Sequence, residues 1–331
     1  ADLLLQMRHD TDPFNRWEAS QRLAATRLGV AYDAADGVQV VDDAYLSTLR
    51  EFIRDPALDA AFKAMVLTLP SEAWTAEENA EADPQRIHAA HERVRRELAL
   101  RLHDTWVWAF EHHQVNEGYA PSPEQAGRRA LANVALDMLC LNATQTQDAL
   151  WQGKAYQRFK SATNMTDRLG ALDALLNANA ELADTALDRF HTLCKDDPLL
   201  LDKWFEAQAR ASETTDGSSR TFSRARALLQ HPQFALNNPN RARALIFMWM
   251  ARNPAAFHRK DAAGYVVWVD LVLALDAINP ILAARLARVM DRWRHLAEPY
   301  RSNAREAISR VASKTDLSAD VREIVSKALE E

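Results

Sequence analysis

An acid or amide followed by proline recurs three times in the second half of the sequence at a fixed spacing. The pairs are Asp197-Pro198, Asn238-Pro239 and Asn279-Pro280, and 41 residues separate each pair from the next. An Asp or Asn side chain caps a helix N-terminus, and proline is favoured at the first helical position because its missing N–H would have no partner there. Each pair therefore predicts the start of a helix, and each interval leaves room for one further helix.

A repeated unit of about 40 residues that contains two antiparallel helices is typical of HEAT or armadillo-like α-solenoids. The apolar stripe of each unit is buried against the neighbouring units. We therefore predict regular helix-pair repeats over about 197–295. Over about 1–160 we predict irregular packing, because the regularly spaced Asp/Asn-Pro pairs are missing there. The whole chain, 1–331, is expected to form a single helical-repeat domain.

The rest of the sequence also gives little indication of β-strands joined by tight turns. Glycine and proline contribute only 8 and 12 of 331 residues, roughly half their usual share, so a sandwich or barrel with many tight turns is excluded. Asp83-Pro84 predicts another helix start, and apolar residues then recur at helical spacing to Phe110, which predicts one long helix reaching about His113. The predicted fold class is all-α.

Charge and hydropathy exclude two classes of partner. The formal net charge is −6, which gives no electrostatic reason to bind nucleic acid. The four arginines between positions 93 and 101 are interleaved with acids such as Glu92 and Glu97, a pattern typical of ion pairs along a helix. The longest apolar run, Ala244–Ala251, is far shorter than the ~20 residues that cross a bilayer. We predict neither a nucleic-acid nor a membrane partner.

The cysteines indicate the redox environment. Cys140 and Cys194 are the only two in the chain and lie in apolar helical patterns, so we predict buried, reduced thiols rather than a disulfide framework. The chain opens on Ala1 with no basic segment before its first leucines, and no secretory signal is predicted. A cytoplasmic location is expected.

One histidine pair imitates a metal site. His88 and His91 are three residues apart, whereas a zinc-binding helix of the His-Glu-x-x-His type needs histidines four apart around a Glu. The residue four after His91 is Arg95. We therefore predict a solvated helix face at His88, His91 and Glu92, with no metal ligand set. No glycine-rich phosphate loop and no Gly-x-Ser-x-Gly elbow is present, so no catalytic residue is predicted.

Several strings, in the same order and spread over nearly the whole chain, resemble the C-terminal helical domain of bacterial aminopeptidase N. These strings are Asp12–Ala19 (DPFNRWEA), Asn164–Asp167 (NMTD), Asp202–Phe205 (DKWF), Asn238–Arg243 (NPNRAR), Asn253–His258 (NPAAFH) and Gly264-Tyr265. The resemblance is strongest from about residue 160 onward.

This resemblance implies a function for a longer protein of which the chain would be one part, rather than for the chain by itself. Members of that family are zinc metallopeptidases that remove the N-terminal residue of a peptide, with a His-Glu-x-x-His helix in a thermolysin-like catalytic domain that would precede residue 1. The chain by itself is expected to have no cofactor and no activity, and its partner is the upstream catalytic domain of the same polypeptide. In the family, the helical domain closes over the zinc site and forms a chamber that admits short peptides.

The resemblance also implies two substrate-binding residues, Arg243 and Arg285. In relatives the matching arginines face the chamber and contact the C-terminal side of a bound peptide. Here they lie four residues after Pro239 and five after Pro280, near the start of equivalent helices one repeat apart. A guanidinium group offers a carboxylate a bidentate fork. The alternative is that both arginines form ordinary ion pairs with neighbouring acids. Ile281 stands where close relatives carry a glutamine, one turn before the second arginine.

A rival interpretation treats the chain as a free-standing helical-repeat scaffold. In that case its concave groove would bind a partner protein, and no upstream peptidase domain would be expected. A nucleic-acid-binding repeat would instead need a basic concave face.

Overall fold

Helices make up the described part of the molecule almost completely. The computed structural model describes residues 2–35 and 37–330. About 72% of these residues are helical, and they contain no β-strand, only an isolated β-bridge between Ala82 and Leu296. The all-α prediction is therefore confirmed. None of the described helices is both long and apolar enough to span a membrane.

The described residues form two compact units. The first contains the residues up to Ser71 together with Ala89–Phe190, and the second contains Glu72–His88 together with the residues from His191 onward. That 1–331 acts as a single domain remains a prediction.

The helices follow one another with short connections. Those that begin before residue 195 are α1 Asp2–His9, α2 Pro13–Asp33, α3 Asp43–Arg54, α4 Ala60–Val66, α5 Glu72–Glu77, α6 Pro84–Arg101, α7 His103–His112, α8 Pro123–Thr146, α9 Ala149–Ser161, α10 Met165–Asn177 and α11 Ala183–Cys194. Those that follow are α12 Pro198–Ala209, α13 Arg220–Leu228, α14 Pro239–Ala242, α15 Met248–Arg252, α16 Pro254–Phe257, α17 Ala263–Asp276, α18 Pro280–Ala287, α19 Tyr300–Ala312 and α20 Ala319–Glu330. A π-helical turn, Arg243–Phe247, joins α14 to α15, and two 3₁₀ turns, Arg288–Met290 and Trp293–His295, follow α18.

Helix α8 is the centre of the first unit. It packs against α4, α7, α9 and α10, and Leu131, Leu136 and Leu139 on it are completely buried. Each fully buried leucine contributes roughly 1.5 to 3 kcal/mol of transfer free energy. The free thiol of Cys140, also on α8, is buried, as is that of Cys194. Burial raises the pKa of the Cys194 thiol to about 11, so the thiol form dominates at neutral pH.

The three Asp/Asn-Pro pairs open helices as their spacing predicts. The Oδ1 of Asp197 accepts a hydrogen bond from Leu199 N at 2.9 Å. The Oδ1 of Asn238 accepts a hydrogen bond from Asn240 N at 3.0 Å. The Oδ1 of Asn279 accepts one from Leu282 N at 3.1 Å. Each cap satisfies at least one of the four N–H groups that a helix start leaves without a partner.

Tryptophans at helical spacing form the core of the second unit, where α17 packs against α18 and α19, and α20 packs against both of these. Trp249 and Trp268 are completely buried, and the indole Nε1 of Trp268 donates to Leu286 O at 3.0 Å. Trp204 and Trp293 are 7% exposed. These four rings therefore belong to the core of the second unit.

The single long helix predicted to follow Asp83 is wrong. The capping is correct, because Asp83 Oδ1 accepts from Gln85 N at 3.0 Å. However, α6 ends at Arg101, and Leu102 leaves the helical region with φ −109° and ψ 18° before α7 begins. The Trp106 indole donates back to Leu98 O at 3.0 Å. Apolar residues are buried on both sides of the break, so their spacing does not reveal one non-helical residue.

A close backbone approach fixes the start of α17 and gives a stability prediction. A Cβ on Gly264 would lie 2.0 Å from the carbonyl oxygen of Phe257, so Gly264→Ala forces the two segments apart. We expect a loss of about 1 to 3 kcal/mol in the free energy of unfolding, measured by urea denaturation. Gly153→Ala in α9 is the matched control, because nothing lies within 4 Å of its Cβ position and it should stabilise the chain by about 0.5 to 1 kcal/mol. Equal effects of the two changes would contradict this account.

Candidate functional site

The first predicted substrate residue, Arg243, lies on an exposed helix face of the second unit. It begins the π-helical turn that follows α14. Its Nη1 donates to Asn240 Oδ1 at 3.3 Å, and no carboxylate among the described residues pairs with it. π-Helical turns recur at functional sites because the extra residue changes where side chains point.

The second predicted residue, Arg285, is exposed on α18. Within residues 2–35 and 37–330 its side chain has neither a hydrogen bond nor an ion pair within 4 Å. Ile281, one turn earlier, is 71% exposed. The ion-pair alternative for Arg243 and Arg285 is therefore not what the described residues form: both guanidinium groups remain open to an external carboxylate.

A neighbouring arginine takes the structural role instead. Arg241, two residues before Arg243, is 5% exposed. It pairs with Asp202 on α12, donates to Gln233 O and lies 4.9 Å from the Phe205 ring centroid. Asp202 thus pairs with Arg241 and not with Arg243.

The predicted solvated face at His88, His91 and Glu92 is wrong. Their exposed fractions are 3%, 6% and 5%. His88 is covered by groups that are remote in sequence: its Nδ1 lies 2.6 Å from Glu72 Oε1, and its Nε2 lies 2.7 Å from the backbone oxygen of Glu213. No helical pattern reveals such partners.

The same contacts test whether these residues fit a zinc ion. Zinc takes a lone pair from a histidine nitrogen, but both ring nitrogens of His88 already face oxygen atoms. Within the part of the chain that the structure describes, no three His, Cys, Asp or Glu side chains are grouped closely enough to hold a metal ion. The described residues do not fit a zinc site.

A cleft of about 800 Å³ opens inside the second unit. The sequence analysis did not predict it. Four segments line it: α5 with the residues after it, the first turn of α6, residues 250–258, and residues 288–296. Gln85 links two of them, because its Nε2 donates to Ala255 O at 2.6 Å and to His258 O at 2.9 Å. The bridge between Ala82 and Leu296 links two more.

His258 is a half-buried titratable group of this cleft. Its Nδ1 lies 2.8 Å from the hydroxyl of Tyr265, whose side chain is 1% exposed. Burial lowers the pKa of His258 to about 4, so the ring is neutral at pH 7. A buried hydroxyl needs an acceptor, and Nδ1 is the one that the structure provides.

This histidine makes stability depend on pH. The folded pKa of about 4 lies below the ordinary value of 6.5, so the unfolded chain binds the proton more tightly. The stabilisation is complete above pH 6.5 and is lost as the pH falls toward 4. Between pH 7.5 and 5.5 we expect the free energy of unfolding to fall by about 1 kcal/mol from this group. Burial also lowers the pKa of His231, which acts in the same direction. Urea denaturation of wild type and His258→Gln at both pH values checks this, and an unchanged pH dependence in the variant would contradict it.

Comparison with known proteins agrees with the fold. The profile of a family described as "Domain of unknown function (DUF3458_C) ARM repeats" matches residues 1–330. Aminopeptidase N of Caulobacter vibrioides is 37% identical over 324 residues, which are 97% of this chain and 36% of that protein. Aminopeptidase N of Escherichia coli is 32% identical over 329 residues, 99% of this chain and 37% of that protein. The chain therefore spans about a third of the length of these relatives.

A solved structure shows the same similarity in three dimensions. The crystal structure of Legionella pneumophila aminopeptidase A in complex with aspartic acid covers 99% of this chain with a TM-score of 0.86 and 28% identity, and the match takes up 38% of that protein. The repeat-fold prediction and the resemblance to bacterial aminopeptidase N are both confirmed.

Proposed function

Because the chain belongs to the DUF3458_C family of ARM-repeat domains and is homologous along its length to about a third of bacterial aminopeptidase N, we propose that it is the helical C-terminal domain of a zinc aminopeptidase. Its role is to close over the catalytic site and to form part of a chamber that admits short peptides. The catalytic residues and the zinc ligands lie in a preceding domain of the same polypeptide.

The observation that carries this proposal is the state of the two arginines. Arg243 and Arg285 are exposed and have no carboxylate partner among the described residues, although acids make up 46 residues of the chain. Arg243 directly follows the short helix α14, and Arg285 lies in the last turn of α18; both helices open on equivalent Asn-Pro caps. Each guanidinium offers paired N–H donors to the C-terminal carboxylate of a peptide. Such a contact positions the peptide and supplies no chemistry at the scissile bond.

Zinc held by the preceding catalytic domain would supply the chemistry of peptide hydrolysis in the complete enzyme. The described residues of this chain do not fit the metal, so their part is to bind the peptide and to exclude bulk water from the chamber. A cytoplasmic location for the enzyme is part of the proposal.

The proposal predicts that this chain alone does not hydrolyse an aminoacyl anilide, with or without added zinc, because no metal ligand set is expected in it. The enzyme that also contains the catalytic domain should hydrolyse the anilide and short peptides, but not a folded protein with an accessible N-terminus. Absorbance of the released aniline and mass spectrometry of the products measure these activities.

Two outcomes would contradict the proposal. Zinc-dependent turnover that co-purifies with the 331-residue chain would place a catalytic site within it. Removal of the N-terminal residue of the folded protein at a rate similar to that of a tetrapeptide would show that no restricted chamber forms.

A further inference from the structure

The cleft of the second unit carries charges of opposite sign on two of its segments. Helix α5 and the residue after it contribute the carboxylates of Glu72, Glu77 and Glu78, whereas residues 288–296 contribute two guanidinium groups and an imidazole, together with the carboxylate of Asp291. The lining also includes apolar side chains, which are Ile87, Met250, Val289 and Leu296. We propose that this cleft binds a small zwitterion with an apolar side chain, that is, a free amino acid or a short peptide.

Two side chains of the cleft offer donors to the carboxylate of such a ligand. Arg288 is exposed and has no ion pair within 4 Å and no side-chain hydrogen bond among the described residues. His258 offers the second donor: we assign its ring proton to Nε2, because Nδ1 lies 2.8 Å from the Tyr265 hydroxyl and that buried hydroxyl needs an acceptor. That Nε2 has no partner among the described residues.

The negative side offers an acceptor to an ammonium group. Glu72 is held by His88 at 2.6 Å, and Glu77 pairs with Arg292 at 2.5 Å. Glu78 is exposed, and no cation in the described part of the chain pairs with its carboxylate. The groups left over on the two sides, Glu78 and Arg288, are thus of opposite charge.

The size and composition of the cleft fit the same class of ligand. About 800 Å³ lies within the range of roughly 300 to 1,000 Å³ that is typical of small-molecule sites, which also combine apolar walls with a few placed polar groups. Neither Arg243 nor Arg285 lines this cleft. The inference therefore does not depend on the role proposed for those two arginines.

The methyl group of Met250 provides a direct probe of the cleft. The chain contains 7 methionines, so ¹³C-methyl labelling of methionine gives few signals, and Met250→Leu assigns the one in the cleft. We expect leucyl-leucine to shift this signal in a saturable way, with no shift of Met138 in the first unit. Leucine tested in the same way shows whether a single residue is enough.

The charged ends of the ligand are tested with blocked compounds and with two variants. N-acetyl-leucyl-leucine lacks the ammonium, and leucyl-leucinamide lacks the carboxylate. Each should bind about tenfold or more weakly, as should leucyl-leucine to Glu78→Gln and Arg288→Gln, because each change removes one charge-assisted contact. Arg305→Gln, another exposed arginine on α19, is the control and should bind normally.

The results separate clearly. A saturable shift of Met250 that both blocking groups and both variants weaken supports the zwitterion site. The proposal is overturned if leucyl-leucine gives no saturable shift, if the three dipeptides bind equally, or if the two variants bind like Arg305→Gln. Unchanged methyl signals of Met138 in the first unit and of Met248 in the second unit show that each variant is folded.

Discussion

Replacing Arg241 by methionine is expected to lower the free energy of unfolding by about 3 to 5 kcal/mol. Only 6% of the Arg241 side chain is exposed, against 15% of that of Asp202, and the guanidinium also serves Gln233 O and the Phe205 ring. Without it, a largely buried carboxylate and a carbonyl lose their partner at once. Urea denaturation, monitored by tryptophan fluorescence, measures the loss.

The control for this variant lies two residues along the same helix. Arg243→Met removes an exposed guanidinium without an ion pair, so it should change the free energy of unfolding by less than about 0.5 kcal/mol. Adding Asp202→Asn to Arg241→Met should recover part of the loss, because it removes the uncompensated charge. If Arg241→Met and Arg243→Met destabilise equally, the structural role is wrongly assigned to Arg241.

In the aminopeptidase proposed to contain this chain, Arg285→Ala and Arg243→Ala should each lower kcat/KM for a di- or tripeptide by roughly ten- to hundredfold. A charge-assisted hydrogen bond contributes on the order of 1.5 to 3 kcal/mol, and 1.36 kcal/mol corresponds to about tenfold in rate. The effect should appear mainly in KM if the contact is equally strong in the ground state and the transition state.

The kinetic controls follow from what each substrate presents. An aminoacyl anilide has no C-terminal carboxylate, so both variants should hydrolyse it at nearly the wild-type rate. Arg305→Ala should leave the rates of hydrolysis of both substrates unchanged. A parallel loss on peptide and anilide would indicate that the arginines support the fold of the enzyme rather than the peptide.

The parts of the fold that the sequence predicts are those encoded by near neighbours. An Asn-Pro pair specifies a helix start within three residues, so the caps at Asp197, Asn238 and Asn279 form as expected. Helical spacing of large apolar side chains likewise predicts that Trp249 and Trp268 are buried.

The parts that the sequence does not predict depend on groups distant in the chain. His88 is buried because Glu72 and Glu213 cover it, and 125 residues separate His88 from the second of these. Likewise, nothing in the local sequence distinguishes Arg241 from Arg243. The side chain of Arg241 forms an ion pair with Asp202, whereas that of Arg243 is exposed to solvent. The cleft brings four separate segments together and therefore has no local sequence signature.

The most direct test is to compare the hydrolysis of a free peptide with that of its C-terminal amide by the aminopeptidase proposed to contain this chain. Wild type should hydrolyse the amide with a kcat/KM roughly tenfold or more below that of the free peptide, since amidation removes the carboxylate. In Arg285→Ala and Arg243→Ala the kcat/KM values for the two peptides should be nearly equal, because a guanidinium group that binds the carboxylate has already been removed. If amidation changes nothing in wild type, the arginines do not bind the substrate carboxylate, and the central claim is contradicted.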